Sequence, residues 1–129
     1  MAQKSIKPLG YRLQELLKKD VDSLPFSEIQ KIMQAVHRIE DIFVSRNLKG
    51  KGYEKSGKIA KAKELYEANV RDLFLGSHPY ERLRIIYTRE RQYANAIRIC
   101  ETYMKLLGSE EEINEYRKKI DLLRRKAKS

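Results

Sequence analysis

Apolar side chains recur at three- and four-residue spacing along most of the chain, and they nowhere alternate with period two. That spacing stacks them on one face of a helix, so an all-α chain without a sheet is predicted. Leu9, Leu13, Leu16, Leu17 and Val21 predict a first short helix, and the stretch from Asp20 to Pro25 predicts a turn. Ile29, Ile32, Met33, Val36, Ile39 and Phe43 predict a longer second helix, with Ser27 and Gln30 in the spacing of a capping box at its start. No proline interrupts residues 26–78. The pattern leaves open whether the second helix runs on unbroken or breaks between Asn47 and Gly52.

Beyond that point the pattern repeats. Shifted by 34 positions, Tyr53 falls on Tyr87, Ala60 on Ala94, Ala62 on Ala96, Glu67 on Glu101 and Leu73 on Leu107. Each copy reads as two helices. Ala62, Leu65, Tyr66, Asn69, Val70 and Leu73 form one face, with Gly76 in the place of a C-terminal glycine. Tyr80, Leu83, Ile86 and Tyr87 form the next face, after Pro79 in a first helical turn. Ala96, Ile97, Cys100, Tyr103, Met104 and Leu107 form another, closed by Gly108. A last helix is predicted from Ser109 and Glu112, again a capping-box pair, with Ile113, Tyr116, Ile120 and Leu123 as a narrow stripe. Acids at its start and bases at its end complement the helix dipole. A polar helix with one apolar stripe is what covers the end of an open repeat stack.

The recurring residues carry a resemblance. Gly50, Tyr53, Ala62 and Tyr66 in the first copy fit the pattern of the tetratricopeptide repeat, as do Tyr80, Leu83, Tyr87, Tyr93 and Ala96 in the second, with Cys100 in the aromatic slot. The resemblance covers residues 43–110. The chain departs from the pattern in having no Trp, in Arg46 and Lys49 at apolar positions, in Arg84 at a small-residue position, and in Phe74 and Gly108 where Pro is usual. It implies one domain over residues 1–129, arranged as an α-solenoid of antiparallel helix hairpins. An N-terminal helical region (1–42) precedes repeat one (43–76) and repeat two (77–110), and a capping helix with a basic tail (111–129) follows. It also implies a concave face built from the first helix of each repeat. Val44, Asn47, Lys51, Glu54 and Lys55 would line it in repeat one, and His78, Glu81, Ile85, Thr88 and Arg89 in repeat two. Such faces bind peptides or helices of partner proteins. Glu81 and Ile85 stand where family members that clamp a terminal carboxylate carry polar or basic residues.

Composition narrows the rest. The formal charge is +10, and residues 46–63 and 117–128 each hold seven Lys or Arg against one acid. Lys58, Lys61, Lys63, Arg117, Lys118, Lys119, Arg124 and Arg125 are thus a candidate footprint for nucleic-acid phosphates, the alternative to a protein-binding role. Solvated helix faces are the plainer account of the same charges. The eight Tyr fit packing between helices better than base stacking, since Tyr53, Tyr66, Tyr87, Tyr93 and Tyr103 fall on the repeat's apolar positions.

No constellation points to catalysis. His37 and His78 have no acid or nucleophile at a useful spacing, and with Cys100 they lack the spacing of metal ligands. Cys100 falls on an apolar stripe, where a thiol is a small core residue and not a nucleophile. No enzyme activity, cofactor or metal is expected. One cysteine makes no internal disulfide, the first ten residues hold no secretory apolar run, and no 18-residue apolar stretch exists. A cytoplasmic protein that binds another protein or peptide, with no membrane span, is the reading these features suggest. A short repeat stack also exposes its ends, which favours self-association.

Overall fold

A computed structural model describes residues 7–129. Six of the ten residues behind the no-leader reading lie outside them. Among the described residues the chain is all-α: α1 (Leu9–Leu17), a 3-10 turn (Val21–Ser23), α2 (Phe26–Lys55), α3 (Ile59–Arg71), α4 (His78–Arg89), α5 (Tyr93–Met104) and α6 (Glu110–Lys128). None of these helices is long and apolar enough to cross a membrane.

The second helix does not break near Asn47. It continues for 30 residues, about 45 Å. Gly50, in its last third, is buried against Tyr66, and this contact supports the helix at a residue of low helix propensity. Ser27 does not cap it. Pro25 occupies the N-cap with extended backbone and Phe26 already begins the helix, so Ser27 lies inside the first turn and the start has no side-chain cap. Ser109 does cap α6, its hydroxyl accepting from the Glu112 amide at 3.4 Å.

Each helix packs most extensively on its neighbours in sequence, giving helix hairpins. The turns of the α2–α3 and α4–α5 hairpins are the same structure 34 residues apart. Gly57 has φ +75° and Arg91 has φ +59°. The Lys58 amide donates to the Tyr53 carbonyl at 2.8 Å, and the Gln92 amide to the Tyr87 carbonyl at 2.8 Å. In both turns a left-handed residue ends one helix and the next residue starts another. Glycine takes that conformation freely, while Arg91 takes it at a cost of roughly 1 kcal/mol. Gly57→Ala should therefore lower stability by about 1 kcal/mol and Arg91→Gly should raise it by a similar amount. Paired chemical melts of the two variants check this, and equal signs would contradict the shared geometry.

The other two glycines read as helix ends are not. The α3 helix stops at Arg71, and Leu73, not Gly76, takes the left-handed conformation at φ +57°. The Phe74 amide then returns to the Asn69 carbonyl at 2.9 Å. Phe74 is held there by the Phe43 ring, whose centroid lies 5.2 Å away. The α5 helix ends at Met104, ahead of Gly108, which does not have a positive φ.

The main core joins α3 to α6. Ala62, Tyr66, Leu83, Ala96, Ile99 and Cys100 have no or almost no exposure, and Tyr80, Tyr103 and Tyr116 stack beside them. Burying a large apolar side chain here stabilises by roughly 1.5–3 kcal/mol. Leu13, Ile39 and Phe43 make a second, smaller cluster between α1 and α2, with Phe74 against it. The two hairpins fill equivalent space from opposite sides. Gly50 faces the large Tyr66 ring in the first, whereas Arg84 stands beside the small Cys100 in the second.

Because every turn reverses the chain, α2, α4 and α6 run in one direction and α3 and α5 in the other. The C-termini of α2, α4 and α6 therefore lie at one end of the molecule, with the hairpin turns at residues 56–58 and 90–92. The N-terminus of α6 and the C-termini of α3 and α5 lie at the other.

Candidate interaction face

Side-chain bonds link α2 to α4 and α4 to α6 on one side of the molecule. Arg82 on α4 reaches Glu54 on α2 through Nη2 at 2.6 Å and Nε at 3.1 Å. The Tyr66 hydroxyl donates to the same carboxylate at 2.6 Å. These partners hold the Glu54 carboxyl below its usual range against the opposing effect of burial. On the far flank of α4, the Tyr116 hydroxyl of α6 donates to Glu81, which also pairs with Arg84 at 2.8 Å. The Glu81 carboxyl is likewise lowered, by Tyr116 and Arg84 and with help from Lys119, although burial opposes it. Burial and the negative partner push the Tyr66 and Tyr116 hydroxyls far above the ordinary phenol range. Both tyrosines thus stay neutral donors at any ordinary pH.

A second set of bonds ties α3 to the following hairpin. Glu67 accepts from the Tyr87 hydroxyl at 2.6 Å and pairs with Arg98 at 2.5 Å. Lys63 pairs with Glu90 at 2.9 Å. At the start of the first hairpin, Arg46 donates to Asp72 at 2.7 Å and to the Ala68 carbonyl. Asn69, fully buried, donates to the Phe43 carbonyl at 3.0 Å and to Asn47 at 2.9 Å.

The residues expected on the concave face divide into two groups. Asn47, Glu54 and Glu81 are committed to bonds between helices, and the Thr88 hydroxyl donates to the Arg84 carbonyl. Val44, Lys51, Lys55 and Arg89 are exposed, and Ile85 is half-buried on the outward side of α4. Lys51 lies near His78, and with burial it lowers the imidazole's affinity for a proton. His78 Nε2 is buried without a protein partner. Lys119 and Leu122 on α6, with Glu115 and Lys118, line a shallow depression of about 450 Å³. Leu122 was not among the expected residues. It lies outside the 34-residue repeat that pointed to the others.

The basic residues also divide. Lys63 is paired with Glu90, Lys61 lies over the Tyr53 ring and Lys119 over the Tyr116 ring. Arg117 donates to Asn114 and Arg124 sits 3.9 Å from Asp121. Lys58, Lys118 and Arg125 are exposed and outside any ion pair among the described residues.

No group of three metal-ligating side chains occurs among the described residues. Cys100 is fully buried, and burial pushes its thiol up to about 11. A thiol held protonated and away from solvent is not a nucleophile at neutral pH. His37 is exposed on α2. An open groove of about 630 Å³ lies between α5 and α6. Met104, Ile113 and Ile120 form its floor, and Lys105, Arg117 and Arg124 part of its rim.

No family model matches the chain, and neither a curated protein nor a solved structure matches it.

Proposed function

We propose that the protein is a non-enzymatic interaction module of tetratricopeptide-like design, binding a peptide or helix of another protein across α2, α4 and α6. The observation that carries this reading is the pair of hairpin turns 34 residues apart, with left-handed Gly57 and Arg91 and matching bonds from Lys58 and Gln92. A repeated hairpin that packs mainly on its neighbours extends into a stack with one continuous face. The exposed or half-buried side chains that would serve it are Val44 and Lys51 of α2, Ile85 of α4 and Leu122 of α6. Most of the polar groups between the helices are satisfied by one another, His78 Nε2 and Arg84 Nε being the exceptions. They hold the face rigid before a partner arrives, which lowers the ordering cost of binding. Mixed apolar and cationic side chains suit an amphipathic segment with acidic flanks.

The test is capture from native lysate after nuclease treatment, comparing the wild-type chain with Lys51→Glu combined with Ile85→Ser. A protein partner held by the wild type and lost by at least tenfold in the variant supports the reading. Two truncated contacts of this kind are together worth roughly 2 kcal/mol or more. A partner bound equally by both proteins would place the interface elsewhere and remove the reading.

A further inference from the structure

The end of the molecule where α2, α4 and α6 terminate is a row of unpaired cations. Lys55 is the last residue of α2 and Lys58 follows in the turn. Arg89 is the last residue of α4, with Arg91 in the equivalent turn. Arg125 and Lys128 lie in the last turn of α6. All six are exposed, and none takes part in an ion pair among the described residues. The acids nearest this end are already used. Glu54 is bound by Arg82 and Glu90 by Lys63.

The opposite end carries both signs, with Arg71 and Lys105 at the ends of α3 and α5. Glu110, Glu111 and Glu112 are exposed in the first turn of α6. Acids are therefore present at that end beside its cations, whereas the acids Glu54 and Glu90 near the row are already paired. Cations at helix C-termini are favourable for the helices themselves, but that effect is satisfied within the last turn. It does not call for Lys58 and Arg91, which lie beyond the helix ends.

We propose that this edge binds the phosphodiester backbone of a nucleic acid, without reading its bases. Glu54 on α2 is bonded to Arg82 on α4, and Glu81 on α4 to Tyr116 on α6, so the three helices are neighbours and the row crosses all of them. A single strand of B-form DNA presents one phosphate per roughly 3.4 Å. The edge thus faces several successive phosphates with two cations per helix end. A linear, evenly charged polyanion matches that row. A lipid surface matches it less well, because Leu122, one turn from Arg125, offers one apolar side chain beside six cations. Base stacking is not available either. Tyr87 is buried, and Tyr53 and Tyr93 are partly buried and packed against the main core. This inference uses the ends of the helices, and of its six cations only Lys55 and Arg89 were also expected on the peptide-binding face.

The experiment is fluorescence anisotropy with a labelled 20-nucleotide RNA and a duplex DNA of mixed sequence, from about 50 to 300 mM salt. Four to six phosphate contacts predict a slope of log K on log salt between roughly −3 and −5. The variant Lys55→Gln, Lys58→Gln, Arg89→Gln, Arg125→Gln should lose tenfold or more in affinity at about 100 mM salt and flatten the slope by two or more units. Glutamine keeps these exposed positions helix-compatible, and an unchanged thermal melt confirms the fold. A control, Arg71→Gln with Lys105→Gln at the opposite end, should bind as the wild type does. The proposal is overturned by no binding at 50 mM salt, by equal losses in variant and control, or by strong sequence preference. It is also overturned if anionic phospholipid vesicles or polyglutamate bind the edge more tightly than nucleic acid does.

Discussion

Tyr66→Ala should lower the unfolding free energy by about 3–5 kcal/mol, the cost of emptying a large aromatic site in a packed interior. The ring is fully buried, and it stands between Gly50 of α2 and the rest of the main cluster. Its removal opens a cavity where α2 presents Gly50, with no side chain, to α3. It also leaves the Glu54 carboxylate with Arg82 alone. Tyr66→Phe isolates that second part and should cost only about 1 kcal/mol, the net worth of one hydrogen bond. Urea denaturation followed by helical circular dichroism measures both. A loss below about 1 kcal/mol for the alanine variant would mean that the hairpin closes without the ring.

Gly50→Ala tests the same contact from the other side, and its sign should depend on Tyr66. An added Cβ would lie 2.5 Å from one Tyr66 ring carbon and 2.8 Å from another. The ring cannot swing aside, because its hydroxyl is tied to Glu54 and its faces are packed. Overpacking of this kind costs about 1–3 kcal/mol, and the better helix propensity of alanine recovers up to ~1 kcal/mol. In the Tyr66→Ala background the clash is gone and only propensity remains, so Gly50→Ala should stabilise by about 1 kcal/mol. The two substitutions should therefore couple by roughly 1–3 kcal/mol in a double-mutant cycle. Simple additivity would show that α2 shifts instead of pressing on the ring.

How far the sequence reveals this fold depends on the range of the forces involved. The hairpins of residues 43–110 are visible because their determinants are local and periodic. Tyr53 and Tyr87, or Ala62 and Ala96, recur at the spacing of helix faces, and the turns between them occupy the same register. The last helix is visible for the same reason, since Ser109 caps it through a residue three positions on. The end of α3 is not. Gly76 has the composition of a helix stop, yet Leu73 takes the left-handed position because Phe74 packs on Phe43, 31 residues earlier. Ser27 has the composition of a cap, but Pro25 sets the entry and starts the helix first.

The polar part of the candidate face is hidden in the same way. Asn47, Glu54 and Glu81 stand where outward residues are expected, and their partners Asn69, Arg82 and Tyr116 are 22, 28 and 35 residues away. Arg46 departs from the repeat's apolar pattern, and it is explained by Asp72, 26 residues on. Arg84 at a small-residue position is matched by Cys100 at an aromatic one. The exchange of sizes is sensible only once the two are seen side by side. Periodicity identifies which residues face inward, but not which outward-pointing polar groups find one another.

The lone thiol gives the molecule an internal clock. Cys100 is shielded by the packing of α4, α5 and α6, so a thiol reagent reaches it only when those helices part. The chain has no second cysteine to complicate the signal. At high reagent concentration the labelling rate approaches the rate of opening, and at low concentration it reports the open fraction. A ligand seated across α2, α4 and α6 would slow that rate by clamping the closed form. A polyanion held only at the helix ends would do so through the C-termini of α4 and α6, leaving α5 free to fray.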